Sequence, residues 1–340
     1  MDLDLELRPM NGNAAGGAEY DMGCFERPPA TADRLAGATR YETACEVAER
    51  AVYFSEIAVV ASGANFPDAL SAAGLAGAVE GPLLLVKPTS VPPAVLDTLQ
   101  HFDITDVIIV GGEAVVTPAV VSALEAEGYD VTRVAGADRY ETSAEVAREI
   151  SRRTHQYLEA AVVARGDQFA DALAVGPLAY TQKAPVLLVR PTSLPAPIAA
   201  VMDELGIEDV IVAGGEAAVS GVVYDDIVGL TSVAAVERVW GADRYTTAAA
   251  VATEGVARGW NSASYVGVAT GVNFPDALAG GVTAGRRGGV LLLCKSTSLP
   301  AAPTAFLTTH KDNVLRADVY GGDDVVAPAV MQAIDDALSW

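Results

Sequence analysis

The sequence predicts an α/β protein made of three homologous units, each holding a small parallel sheet. Three observations predict it. Four sequence blocks recur three times in one order, about a hundred residues apart. Short runs of Val, Ile and Leu recur inside each copy, as expected of strands buried on both faces. Helix-start signals fall between those runs, and strands alternating with helices indicate βαβ units.

The elements follow in chain order. RLAGATRYETACEVA from Arg34 returns as RVAGADRYETSAEVA from Arg133 and RVWGADRYTTAAAVA from Arg238, and opens each copy with a short extended piece and a helix. Ile57–Ala61 is the first apolar run. Asn65-Phe66-Pro67-Asp68 then sets Pro and an acid in the first turn of a helix; this block is QFADAL and NFPDAL in copies two and three. Leu83–Val86 is the second run, with PVLLVRPTSLP and VLLLCKSTSLP as its counterparts. Ser90 before Pro92, and Thr117 before Pro118, predict N-caps of the next two helices. Val107–Val110 is the third run and leads into Gly111-Gly112. The repeats divide the chain into a mobile tail of 1–30 and units at 31–133, 134–238 and 239–340.

Composition excludes several functions. Lys and Arg number 22 against 44 Asp and Glu, a net charge of −22. Affinity for nucleic acid comes mainly from cations that neutralise phosphates, so a nucleic-acid partner is not expected. Only Lys87, Lys183, Lys295 and Lys311 are lysines. That balance suits high salt or an Arg- and Ala-biased genome. No apolar run is long enough to span a membrane, and Met1–Pro9 has no apolar signal-peptide core. Cys24, Cys45 and Cys294 show no paired spacing, and the three histidines fall in non-corresponding segments. Neither a metal nor a cofactor is expected.

Comparing the copies with one another isolates candidate residues. Arg34, Arg133 and Arg238 correspond, as do Arg40, Arg139 and Arg244, and Lys87, Arg190 and Lys295. Cations held at fixed positions in an acidic chain point to local anion sites, or to ion pairs that fix helix starts. Glu42 and Glu141 are the expected partners in the second case, with Thr246 replacing them in copy three. Lys87, Arg190 and Lys295 follow strand ends, where α/β folds place sites. Thr89-Ser90, Thr192-Ser193 and Thr297-Ser298 adjoin them as helix caps or as sugar-contacting hydroxyls. Asp68, Asp171 and Asp276 read as first-turn helix acids rather than catalytic groups, since no second carboxylate recurs beside them. The paired glycines read as tight turns.

GAxRYxT, NFPDAL, LLLxxxTSLP and VGGxxxV in triplicate resemble the type-2 cell-wall-binding repeat family. The resemblance covers residues 34 to 340. It implies Toprim-like units around a pseudo-threefold axis. It also implies non-covalent anchoring to an anionic secondary polymer of the wall, and a cell-surface location. The family's Ile/Val-Leu-Leu run, tied to anchoring, maps onto Leu83, Leu84 and Leu85, Val186, Leu187 and Leu188, and Leu291, Leu292 and Leu293. The visible sequence departs from the family in lacking an export signal and a second functional domain, and in its acidity.

The function expected is a non-catalytic binding module, with polymer in grooves between units and weak contacts adding through effective concentration. An enzyme acting on a wall component and a self-associating surface protein are the alternatives, and no oligomeric state is implied. One topological expectation remains. The extended piece before copies two and three recurs at Asp33–Gly37, while nothing follows the last helix of copy three. If each piece completes the preceding unit, residues 33–37 close a ring by joining the third unit.

Overall fold

The structure, a computed structural model, describes residues 30–155 and 158–339. The tail expected over 1–30 lies, apart from Ala30, outside the described residues.

The first stretch runs β1 (Ala32–Leu35), α1 (Arg40–Glu49), β2 (Ile57–Ser62), α2 (Pro67–Leu70), α3 (Ala72–Ala78), β3 (Leu83–Val86), α4 (Pro93–His101), β4 (Asp106–Val110), α5 (Pro118–Ala126) and β5 (Asp130–Val134). The second repeats it as α6 (Arg139–Thr154), β6 (Ala160–Arg165), α7 (Ala170–Ala174), α8 (Gly176–Gln182), β7 (Val186–Val189), α9 (Ala196–Leu205), β8 (Asp209–Ala213), α10 (Gly221–Val228) and β9 (Ala235–Val239). The third is α11 (Arg244–Ala257), β10 (Tyr265–Thr270), α12 (Pro275–Arg286), β11 (Val290–Cys294), α13 (Ala301–His310), β12 (Arg316–Tyr320) and α14 (Pro328–Leu338).

The strands form three four-stranded sheets, ordered β3-β2-β4-β5, β7-β6-β8-β9 and β11-β10-β12-β1. Every pairing is parallel. The third sheet is completed from the other end of the chain: Ala32 lies opposite Ala317 and Leu35 opposite Tyr320. The ring therefore closes by the first of the two routes the sequence leaves open, each extended piece completing the preceding unit, and β12 is not left as an open edge.

The units converge on an axis. Helices α3, α8 and α12 pack against one another there. Small residues allow the approach, since a Cβ on Gly176 would sit 3.3 Å from the Cα of Gly281. Phe66, Phe169 and Phe274, one from each copy, meet with ring centroids 5.5, 5.7 and 6.0 Å apart. Equivalent residues forming a triangle mark the pseudo-threefold axis. Each seam repeats one contact: α1 packs on α12, α6 on α3, and α11 on α7.

Strand β3 shows how one run serves two cores. Leu83 and Leu85 face the central cluster, while Leu84 and Val86 face the unit's outer core; successive strand residues point to opposite faces. Leu291 and Leu293 face the centre, and Leu292 and Cys294 the outer core. Burial of each leucine contributes about 1.5–3 kcal/mol.

Three helix starts, one in each unit, differ from expectation. Helices α4 and α9 are entered from Pro92 and Pro195, not from Ser90 and Ser193. Lys87 pairs with Ser90, and Arg190 with Ser193, across a tight turn that closes before the helix begins. In the third unit the Lys295 amide donates to the Ser298 carbonyl, 3.1 Å, and Pro300 enters α13. Thr117 does occupy the N-cap of α5.

Candidate functional site

The recurrent polar residues gather where the central strands end. Arg40, Arg139 and Arg244 are the first residues of α1, α6 and α11, the helices that lie on the seams. Each donates Nη1 to the carbonyl after a central strand: Arg40 to Gly63 at 2.7 Å, Arg139 to Gly166 at 2.6 Å, and Arg244 to Gly271. Across the seam, the Arg40 guanidinium lies 5.9 Å from the Phe274 ring centre, and that of Arg244 lies 5.6 Å from Phe169. Arg40 and Arg244 therefore join neighbouring units.

The glutamates expected as their partners do something else. Glu42 accepts from the Thr39 amide and Glu141 from the Ala137 amide, both at 2.8 Å, closing the helix starts. Thr246 performs that task in copy three, its hydroxyl accepting from the Asp243 amide. The substitution in copy three thus preserves a cap.

Outward from the arginines come the tyrosines and the strand-end cations. The Lys87 ammonium lies 5.9 Å from the Tyr41 ring centre, and the Arg190 guanidinium 4.4 Å from that of Tyr140. Arg190 also stands 3.7 Å from Asp138. Near Lys295, Asp243 is held below the usual carboxylate range: burial opposes this, but hydrogen bonds from Thr246 and Tyr245 and the Lys295 charge outweigh it. Lys87, Arg190 and Lys295 are exposed, as are Thr89, Ser90, Thr192, Ser193, Thr297 and Ser298. In each unit the same residue types therefore recur at this end of the sheet: Arg, Tyr, cation and hydroxyls.

The leucine-rich runs do not reach this surface. Leu83, Leu84, Leu85, Val186, Leu187, Leu188, Leu291, Leu292 and Leu293 are all at most 2% exposed. Any effect of substituting them on anchoring passes through the fold.

The other recurrent residues brace the strand ends. Gly111, Gly214 and Gly321 have φ of +123°, +111° and +110°, which an L side chain rarely adopts. Arg133 donates to the Gly111 carbonyl at 2.6 Å and Arg238 to that of Gly214 at 2.9 Å; Arg34 does the same for Gly321. Asp68, Asp171 and Asp276 lie against these glycines; a Cβ there would come within 3.0, 2.7 and 2.7 Å of their Oδ2 atoms. Burial raises the pKa of all three. Asp276 is pushed up to about 6, opposed by Arg40. Asp171 is opposed by both Arg165 and Arg244.

The middle unit carries features that the recurrent motifs did not reveal. Arg165, where the other copies have Ser62 and Thr270, grips Asp167 with Nε and Nη2 at 2.7 and 2.8 Å. A cleft of about 170 Å³ adjoins the axis there, lined by Phe66, Asp167, Gln168, Phe169, Ala170 and Arg244. Trp240 stands beside the Gly214-Gly215 turn, where copies one and three carry Ala135 and Ala36 at the corresponding positions. The signal for such residues is their departure from the repeat.

Known proteins share this architecture. The family model described as cell wall binding domain 2 matches residues 34–121, 133–224 and 238–331. The chain is 31% identical over 276 residues to the N-acetylmuramoyl-L-alanine amidase LytC of Bacillus subtilis (strain 168), covering 80% of this chain and 53% of that protein. It is 27% identical over 308 residues to the amidase enhancer of the same organism, covering 90% of this chain and 40% of that one. Among solved structures, Cwp6 from Clostridium difficile superposes with a TM-score of 0.82 at 26% identity, over 96% of this chain and 50% of that one. Cwp8 from the same organism superposes at 0.78 with 25% identity, over 91% and 52%.

Proposed function

The chain belongs to the cell wall binding domain 2 family, and from that premise we propose that its three units grip an anionic wall polysaccharide along the strand-end face without catalysing a reaction. One observation carries this reading. Lys87, Arg190 and Lys295 are exposed cations at the same strand end of every copy, each followed by exposed Thr and Ser. A cation beside hydroxyls suits a polymer that alternates acidic groups with sugar hydroxyls. Three such points on one ring suit a long polymer, since binding at one raises the effective concentration at the others.

The net charge of −22 opposes long-range attraction. The cations act at contact distance, and salt shortens the reach of the repulsion. The three recurrent aspartates are accounted for by packing, since each lies against the turn glycine of its unit. Amidase chemistry is named for LytC, of which this chain spans 53%. The reading places the protein at the cell wall.

The test is sedimentation with protein-stripped Gram-positive walls. The triple variant Lys87→Glu, Arg190→Glu, Lys295→Glu is expected to lose at least tenfold in affinity while melting within a few degrees of the parent. Single reversals are expected to lose less, in graded fashion. Unchanged binding by the triple variant, or complete loss from one single reversal, contradicts the proposal.

A further inference from the structure

We propose that Trp240 is a saccharide-stacking platform that makes the middle unit the principal sugar subsite of the ring, an inference that rests on the wall-polysaccharide reading above.

Trp240 follows β9 directly and is 56% exposed. The fold does not require an indole there, because Ala36 and Ala135 hold the corresponding positions after β1 and β5. The ring is nonetheless set against a defined surface. A Cβ on Gly215 would lie 3.1 Å from Trp240 Cε3, so the indole rests on the glycine turn of its own unit. At Gly112 and Gly322, the same place in the other units, nothing lies within 4 Å of such a Cβ. One turn of three carries an aromatic shelf.

The surroundings are suited to a sugar. Two residues beyond Gly215, the Ala217 carbonyl lies 3.4 Å from Arg165, which holds Asp167 in a two-pronged pair. Asp167 also lines the axial cleft with Phe66, Phe169 and Arg244. A pyranose ring has an apolar C–H face and a rim of hydroxyls. The indole takes the first, and a fixed carboxylate–guanidinium pair takes the second as acceptor and donor. A glycan lying over the turn would place one sugar on Trp240 and extend past Arg165 and Asp167 toward the cleft. Arg165, Asp167 and Trp240 all belong to the middle unit, and their counterparts are Ser62, Ala64 and Ala135 in one copy's sequence and Thr270 and Val272 in another. The repeat therefore supplies three equal cation sites, and the middle copy adds recognition of the sugar itself.

The experiment measures binding of the full chain to protein-stripped Gram-positive walls, before and after hydrofluoric acid removes phosphodiester-linked polymers. Trp240→Ala is expected to weaken binding to intact walls roughly three- to tenfold, and Trp240→Phe less than about twofold. Circular dichroism melts of both variants are expected to match the parent. A loss that persists on acid-treated walls assigns the sugar to the peptidoglycan strand, and a loss confined to intact walls assigns it to the accessory polymer. Parent-like binding by Trp240→Ala overturns the platform while leaving the cation reading intact. A parent protein that binds neither wall preparation overturns both.

Discussion

Two seams of the ring solve one packing problem with different chemistry. Where unit three meets unit two, Arg258 at the end of α11 reaches Asp209 at 3.0 Å, together with Glu237 and Glu254, and lies 4.7 Å from the Trp260 ring centre. Asp209 and Glu237 are 35% and 49% exposed, so this is a rim cluster. Where unit one meets unit three, Arg50 at the end of α1 points inward to Asp318, which is fully buried. Asp318 accepts from the Tyr265 hydroxyl at 2.6 Å and from Arg316 at 3.0 Å, and Arg316 also pairs with Asp33 of β1. The chain runs on from unit two into unit three, whereas unit one reaches unit three only by folding back. The second seam therefore has to select its partner by contacts. A buried carboxylate among named partners penalises misplacement of β1 far more than a solvated rim cluster does.

Four expected outcomes test this contrast. The largest follows removal of residues 1–37, which deletes β1 and bares the β12 edge. Amides of β10, β11 and β12 are expected to exchange faster by hydrogen-exchange mass spectrometry, while those of β2 to β4 change least. Uniform acceleration in all three sheets would show that closure supports every unit equally. Next comes Asp318→Ala, which strands Arg50, Arg316 and Tyr265. A loss of about 3–5 kcal/mol is expected by urea unfolding.

The third outcome concerns pH. Asp276 rises from its ordinary 3.8 to about 6 because it is buried, with Arg40 alone in opposition. The folded state then holds the proton more tightly than the unfolded state. Its stability contribution is complete below about pH 4 and lost as pH rises to about 6. Asp276→Asn is expected to gain roughly 2–3 kcal/mol above pH 6 and to flatten the slope between pH 4 and 6. Asp171→Asn should gain less, since two arginines face Asp171. Melts across pH would decide, and equal gains would remove the distinction between seams. The smallest effect is expected for Arg258→Ala, below about 1 kcal/mol and shrinking in salt, because its partners are solvated.

Much of the fold was legible because the repeat is local. Strand runs such as Leu83–Val86, proline-marked helix starts and paired glycines each report on neighbours a few residues away. The candidate site was legible in part. Corresponding cations stood out by comparing copies, and Lys87, Arg190 and Lys295 do lie exposed at the strand ends. The task of Arg40 did not, since its partners Gly63 and Phe274 come from different copies. Thr89 and Ser90 resemble a cap in sequence because a pair of hydroxyl residues before proline looks the same whether it ends a turn or begins a helix. Trp240 and Arg165 have no counterpart in the other copies, where Ala36, Ala135, Ser62 and Thr270 stand, so the repeat carries no signal for them.

The sequence by itself determined the number of units, their alternation of strand and helix, and which cations recur, because each depends on periodicity within a short window. The recurrence of the extended piece left two destinations open for β1, and its pairing with β12 in the folded ring decided between them. Tertiary structure alone decided which side chains share a seam. It set Arg50 against Asp318 and brought the Thr283 hydroxyl to the Val47 carbonyl, 236 residues away in the chain. Such pairs leave no local pattern: their energy comes from removing both groups from water together, and that happens only once the ring has closed.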